Sequence, residues 1–162
     1  MKKLILVCGP AGIGKSTYCA KYITEHTEEN AHIVAADEIR REMCGSYKKF
    51  PKNMDMTPIY DKMIETATNL FNSSDDITII VDTTMLYDER RLFFLDNLPA
   101  FDETLLVLLK AHDYSICLER NKQRIEEKWV PEEVIKSMSA AYEEPGKDVK
   151  EKVTELVTVY ND

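Results

Sequence analysis

Gly9-Pro10-Ala11-Gly12-Ile13-Gly14-Lys15-Ser16 is the stretch that decides the fold. Its spacing is G-x-x-x-x-G-K-[ST], the signature of a phosphate-binding P-loop. The flanks carry as much information as the motif. Leu4-Ile5-Leu6-Val7-Cys8, directly before it, reads as a buried strand, and Ser16 to Glu25 reads as a helix. In a strand-loop-helix unit the glycines fold the backbone tightly and turn N–H groups onto phosphate oxygens. The helix start adds the positive end of its dipole. Gly9, Ala11, Gly12, Ile13, Gly14, Lys15, Ser16 and Thr17 are therefore expected to form a nucleotide cradle. Lys15 would reach the β/γ-phosphates and Ser16 would hold Mg²⁺.

Outward from the loop, strand-like apolar runs alternate with helical repeats. Strands are predicted at Leu4–Cys8, His32–Ala36, Ile77–Asp82, Thr104–Leu109 and Val153–Tyr160. Ile59, Met63, Ala67, Leu70 and Phe71 recur at helical spacing, as do Val134, Ile135, Met138, Ala141 and Tyr142. Pro131 with Glu132 and Glu133 starts the second of these helices, and Asp113 is the expected N-cap of a helix through about Arg124. Alternation of this kind predicts a five-stranded parallel sheet with helices on both faces. The strands are near-continuous apolar runs, as doubly covered strands should be. Gly45–Thr57, with Lys48, Lys49 and Lys52, reads either as a substrate-side loop or as a solvated one.

The bulk numbers narrow the classes. The 162 residues suit one domain spanning the whole chain. Twenty-one Lys+Arg against 29 Asp+Glu leave a formal charge of −8, unlike the basic footprint of a dedicated duplex-DNA or membrane-surface binder. Cys8, Cys19, Cys44 and Cys117 are dispersed without metal-site spacing and read as reduced, mostly buried residues, which points to a cytoplasmic setting. The apolar run after Lys2-Lys3 stops at Gly9-Pro10, too short for a signal peptide, and no stretch has the length of a membrane span.

Two carboxylates carry the next clues. Ligands of open α/β sheets gather at the carboxyl ends of strands. Asp37, expected at the end of the second strand, would lie near a γ-phosphate and can take a proton from an acceptor hydroxyl. Its alternative is a helix cap. Arg40, one helical turn on, can grip an anionic acceptor group, whereas Arg41 reads as surface charge. Asp82 ends an apolar strand and suits a Walker-B role on Mg²⁺, with a turn former as alternative. Arg90 and Arg91 begin the next helix and read as surface charge. Arg120 and Arg124, spaced i and i+4, share a face at a helix end. They suggest a lid over about residues 120–131 that brings arginines to the transferring phosphate. A dipole-favoured helix terminus is the plainer account.

With these parts placed, the chain resembles the kinase domain of phage-type polynucleotide kinase and related small P-loop kinases of the zeta-toxin-like group. The resemblance runs through Asp37-Glu38-Ile39-Arg40, Val81-Asp82-Thr83, Asp88-Glu89-Arg90-Arg91, Arg120-Asn121-Lys122-Gln123-Arg124 and Val130-Pro131-Glu132-Glu133-Val134. The chain departs from the family at Thr84, where Asn is common, and at the acidic Glu126 and Glu127. The resemblance implies an ATP- and Mg²⁺-dependent kinase with a helical lid. Asp37 would be its base, Arg40 the ligand of a phosphate on the accepting nucleotide, and Arg120 and Arg124 its lid arginines. The expected acceptor is the 5′-hydroxyl of a nucleic acid or nucleotide. A kinase for a nucleoside, sugar or antibiotic hydroxyl is the alternative, and an inactive ATP-binding regulator a third reading. A GTPase is disfavoured, because Asn121-Lys122-Gln123-Arg124 lacks the Asp of N-K-x-D.

Overall fold

The first strand of the chain is the central strand of the sheet. The computed structural model describes residues 1–49 and 55–162, so Lys52 lies outside the described residues. The strands are β1 (Lys2–Cys8), β2 (Ala31–Ala35), β3 (Ile77–Asp82), β4 (Glu103–Lys110) and β5 (Glu155–Tyr160). They form one sheet in the order β2-β3-β1-β4-β5, and every pairing is parallel. The helices are α1 (Lys15–Glu25), α2 (Ala36–Cys44), α3 (Thr57–Ser73), α4 (Asp88–Asn97), α5 (Ser115–Gln123), α6 (Glu132–Ala141) and α7 (Lys147–Lys152). A single 3-10 turn, Glu126–Lys128, joins α5 to α6.

Side chains alternate across the pleat, so the inner strands feed two cores. Leu4, Leu6, Ile79, Val81, Leu106 and Leu108 join Ile59, Met63 and Ala67 of α3, Phe94 of α4 and Val149 of α7 on one face. Ile5, Val7, Ile80, Val107 and Leu109 join Cys19 of α1, Cys117 of α5 and Ile135 of α6 on the other. Burial on both faces explains why β3 reads as six buried residues in a row. The expected parallel five-stranded sheet is what forms.

Several boundaries differ from expectation. Ala36 opens α2 rather than ending β2, because the favourable first-turn acids Asp37 and Glu38 follow it. Asp113 does not cap α5. Tyr114 holds the cap position, and Asp113 Oδ1 accepts the Ser115 N–H at 2.9 Å. That helix ends at Gln123, and Arg124 is already extended with ψ 162°. The last strand starts at Glu155 because α7 occupies Lys147–Lys152, a six-residue helix with too few apolar positions to show a period. No helix among the described residues is long and apolar enough to cross a membrane.

Candidate active site

Strand register brings the chemistry together before any side chain is considered. Val7 of β1 and Ala35 of β2 both lie beside Asp82 of β3. Two residues beyond Val7 the phosphate loop begins, and two beyond Ala35 stands Asp37. The loop, Asp82 and Asp37 therefore meet at the carboxyl edge of three adjacent strands, where the order reverses between β1 and β3.

The loop itself is built for close approach. Gly12 has φ +84°, and a Cβ there would collide with the carbonyl oxygen of Cys117 on α5. Gly14 has φ +105° and leads into α1, whose first N–H groups have no intrahelical partners. Gly9 N–H donates to Thr84 O at 2.9 Å, tying the loop to the segment after β3. Lys15 Nζ curls back to Pro10 O at 3.1 Å. Burial pushes the Lys15 ammonium below its usual pKa, while Asp82 and Asp37 pull it back up. Ser16 Oγ donates to Asp82 Oδ2 at 3.1 Å. Burial raises the Asp82 carboxyl above its ordinary range, against the pull of Lys15 and Ser16. A glycine-rich cradle with a lysine, a hydroxyl and one carboxylate at its mouth fits a nucleotide with Mg²⁺. That ion is commonly held by one or two carboxylates plus phosphates, and no cluster of three or more His, Cys, Asp or Glu stands among the described residues.

Asp37 sits in the first turn of α2 and caps nothing, since Ala35 is the cap residue and makes no side-chain capping bond. Its Oδ1 lies 3.2 Å from Arg40 Nη2 and its Oδ2 lies 3.7 Å from Arg124 Nη2. Arg40 also donates Nε and Nη2 to Tyr47 O, at 3.2 and 2.9 Å, so one edge of its guanidinium is committed to the protein. Arg120 and Arg124 do not share a face as their spacing predicted, because the helix stops between them. Arg120 donates to Ile13 O at 3.1 Å and to Asn161 O, bracing the phosphate loop. Arg124 turns to Asp37 instead.

Three residues of the site escaped sequence reading. Asn121, buried, holds both backbone groups of Val130: its Nδ2 donates to Val130 O at 2.8 Å, and its Oδ1 accepts Val130 N–H at 3.0 Å. This clasp closes the 3-10 segment into a loop. Asn161 Nδ2 donates to Ile13 O at 2.7 Å. Arg91, expected at the surface, is fully buried. It donates to Met85 O, Leu86 O and Glu143 O at 3.0, 3.1 and 2.7 Å and pairs with Asp88 at 2.9 Å. Asp88, three residues before it, was the only local signal. Arg90 lies over the Tyr60 ring, 4.2 Å from its centroid.

A family model for the AAA domain matches residues 4–145. The chain belongs to the AAA domain family. Solved structures agree on the fold of this AAA domain. It is similar to a gluconokinase from Sinorhizobium meliloti 1021, with 19% identity, TM-score 0.64, and 98% of this chain and 82% of that one covered. Kti12 of Chaetomium thermophilum, solved with ADP-AlF3, gives 14% identity and TM-score 0.72, covering 98% and 89%. A chain of the Pnkp1/Rnl/Hen1 RNA repair complex gives 20% identity and TM-score 0.72, covering 93% of this AAA domain and 46% of that chain. The fold is that of the small P-loop kinases.

Proposed function

We propose that this AAA domain is an ATP-dependent phosphotransferase that moves the γ-phosphate of ATP to the 5′-hydroxyl of a nucleic acid. One observation carries the reading. The Asp37 carboxylate stands between two arginines, Arg40 and Arg124, and within electrostatic reach of both Lys15 and Asp82. Such a setting suits a base that faces a phosphate.

Lys15 and the N–H groups of residues 11 to 17 would hold the nucleotide phosphates, and Ser16 and Asp82 would hold Mg²⁺. Bound together, these groups supply the transferable phosphoryl and neutralise part of its charge. Asp37 orients the acceptor hydroxyl and keeps its proton as the new O–P bond forms and the bond to the leaving phosphate oxygen breaks. Arg124, on the loop closed by Asn121, offsets charge on the phosphoryl oxygens. Arg120 holds the loop carbonyl of Ile13 in place and stands beside the same phosphates. Arg40, beside Asp37, would bind a phosphate on the acceptor. The segment 120–131 acts as the lid.

A sugar hydroxyl is the second reading, favoured by the gluconokinase and the sugar kinase from Janibacter sp. HTCC2649 among the fold neighbours, at 19% and 17% identity, and by the chain's acidic balance. The intact Lys15, Ser16, Asp37 and Asp82 oppose an inactive regulator. The test is transfer from γ-labelled ATP to a panel of 5′-hydroxyl oligonucleotides, nucleosides and sugars. Label on the oligonucleotides supports the reading. Label on sugars alone moves the acceptor to the second class, and no label at all removes the kinase assignment.

A further inference from the structure

We infer that Arg90 and Tyr87 form a second acceptor-binding surface beside Arg40, in which Arg90 takes a backbone phosphate and Tyr87 stacks a base of a single-stranded nucleic acid. The inference rests on the phosphotransferase reading above and specifies how such an acceptor is held.

Arg90 and Arg91 are neighbours with opposite fates. Arg91 spends its donors inside the protein. Arg90 lies over Tyr60, its guanidinium carbon 4.2 Å from the ring centroid, with Phe93 at 5.8 Å, and pairs with no carboxylate among the described residues. In a chain with eight more acids than bases, an arginine left without an acid is a conspicuous cation. Stacking on a ring holds the guanidinium plane while leaving its edge donors free for a phosphate.

Tyr87 is the last residue before α4, in the segment that leaves β3 at Asp82. Its carbonyl accepts the Arg90 and Arg91 N–H groups at 3.2 and 3.3 Å, so the backbone is fixed. The residue is 39% exposed. Arg40 stands on α2 directly after β2, Tyr87 and Arg90 follow β3, and the two strands are parallel neighbours with Ala35 beside Asp82, so both groups lie at one edge of the sheet. Arg40 in turn touches Asp37 at 3.2 Å. The pair Asp37–Arg40 and the stack of Arg90 on Tyr60, with Tyr87 three residues before Arg90, thus put cations and aromatic rings at the edge that holds the proposed base. Single strands are held by such surfaces, with cations on the backbone and rings under bases. A sugar has neither a backbone phosphate nor a base for this surface to hold.

The experiment measures steady-state KM for a 5′-hydroxyl oligonucleotide, for a nucleoside without phosphate, and for ATP, across a salt series. Arg90→Gln should raise the oligonucleotide KM roughly tenfold or more, leaving the nucleoside and ATP KM values and kcat near wild type. The slope of log KM against log salt should fall by about 0.7, the signature of one lost phosphate contact on a single strand. Arg90→Lys should keep that slope. Tyr87→Ala should raise KM for the oligonucleotide while leaving that for the nucleoside near wild type, and Tyr87→Phe should restore the oligonucleotide value. Thermal midpoints are taken for each variant. If Arg90→Gln does not fold, the Arg90→Lys slope and the Tyr87 pair decide. A folded Arg90→Gln enzyme with the wild-type oligonucleotide KM and salt slope overturns the phosphate contact, and an indifferent Tyr87→Ala overturns the stacking surface. A wild-type enzyme that labels no 5′-hydroxyl acceptor fails one step earlier, overturning the acceptor class and this surface with it.

Discussion

On the phosphate-loop side of the cleft, apart from Ser16 to Asp82, the bracing contacts run to backbone atoms. Gly9 N–H meets Thr84 O, Arg120 and Asn161 both hold Ile13 O, and Tyr142 Oη holds Cys8 O. Across the cleft, among the described residues, α2 meets Arg124 and the 3-10 segment through side chains. Asp37 pairs with Arg124, and Glu38 pairs with Lys128 at 3.6 Å while accepting the Tyr47 hydroxyl at 2.8 Å. Those two carboxylates are each 45% exposed. Exposed pairs of this kind are worth about 0.2–1 kcal/mol and are screened by salt. Backbone bonds anchored in a packed sheet open only with the sheet itself. One half of the site is therefore set before any ligand arrives. The other half can rearrange around its acceptor and close over it.

Four substitutions would break or sharpen this contrast. Asp37→Asn, on the adjustable side, should cost roughly 10²–10⁴-fold in transfer rate, the usual worth of a positioned base. The nucleotide should still raise the thermal midpoint, because the rigid half is untouched. Normal turnover in that variant would return Asp37 to a surface role. Next in size, Arg91→Met should lower stability by about 3–5 kcal/mol, since it strips three carbonyls and leaves Asp88 unpaired beside a buried site. Denaturant unfolding reads this directly, and a loss below about 1 kcal/mol would mean that water replaces the guanidinium.

Gly12→Ala probes the rigid half itself. The left-handed backbone alone costs about 1–2 kcal/mol with a Cβ, and the collision with Cys117 adds to it. Calorimetry should find a lower midpoint and a weakened ATP-induced shift. An unchanged ATP shift would mean that the loop yields as readily as the opposite side. Smallest of all is Glu38→Gln. Burial would raise the Glu38 carboxyl, but bonds from Tyr47 and Arg41 and the nearby Lys128 hold it below its ordinary value of 4.5. A carboxyl lowered by folding stabilises above its unfolded pKa and loses that contribution as pH falls through the folded value. Wild type and Glu38→Gln should therefore differ by less than about 1 kcal/mol near neutrality. Their melting curves should converge in acid below 4.5. A gap that persists there would put the effect in packing rather than charge.

The same contrast explains what could be read from the chain. Backbone geometry leaves local marks: glycines at positive φ, a lysine and a serine at fixed spacing, an apolar strand before them. The loop and the parallel sheet were legible for that reason. The Asp37–Arg124 meeting joins residues far apart in sequence and depends on α5 ending one residue early, which no periodicity reveals. Arg90 and Arg91 are chemically alike and adjacent. Only the tertiary packing of Tyr60 under one, and of Glu143 and the Met85–Leu86 carbonyls around the other, separates a stacked cation from a buried strut. Asn121 gave no sign because its partner, Val130, contributes only backbone.

The strand order carries a consequence for how the molecule is made. β1 is synthesised first, yet its neighbours are β3 and β4, which begin at Ile77 and Glu103. At about 5–20 residues per second, β3 follows β1 off the ribosome after roughly 3–14 s. For that interval Leu4–Cys8 is an apolar segment with neither edge paired. Pairings this distant are slow to form even in the complete chain, because loop-closure entropy is lost before any contact is gained. Lys2 and Lys3, at the head of that strand, are the charges best placed to keep nascent chains from pairing with one another.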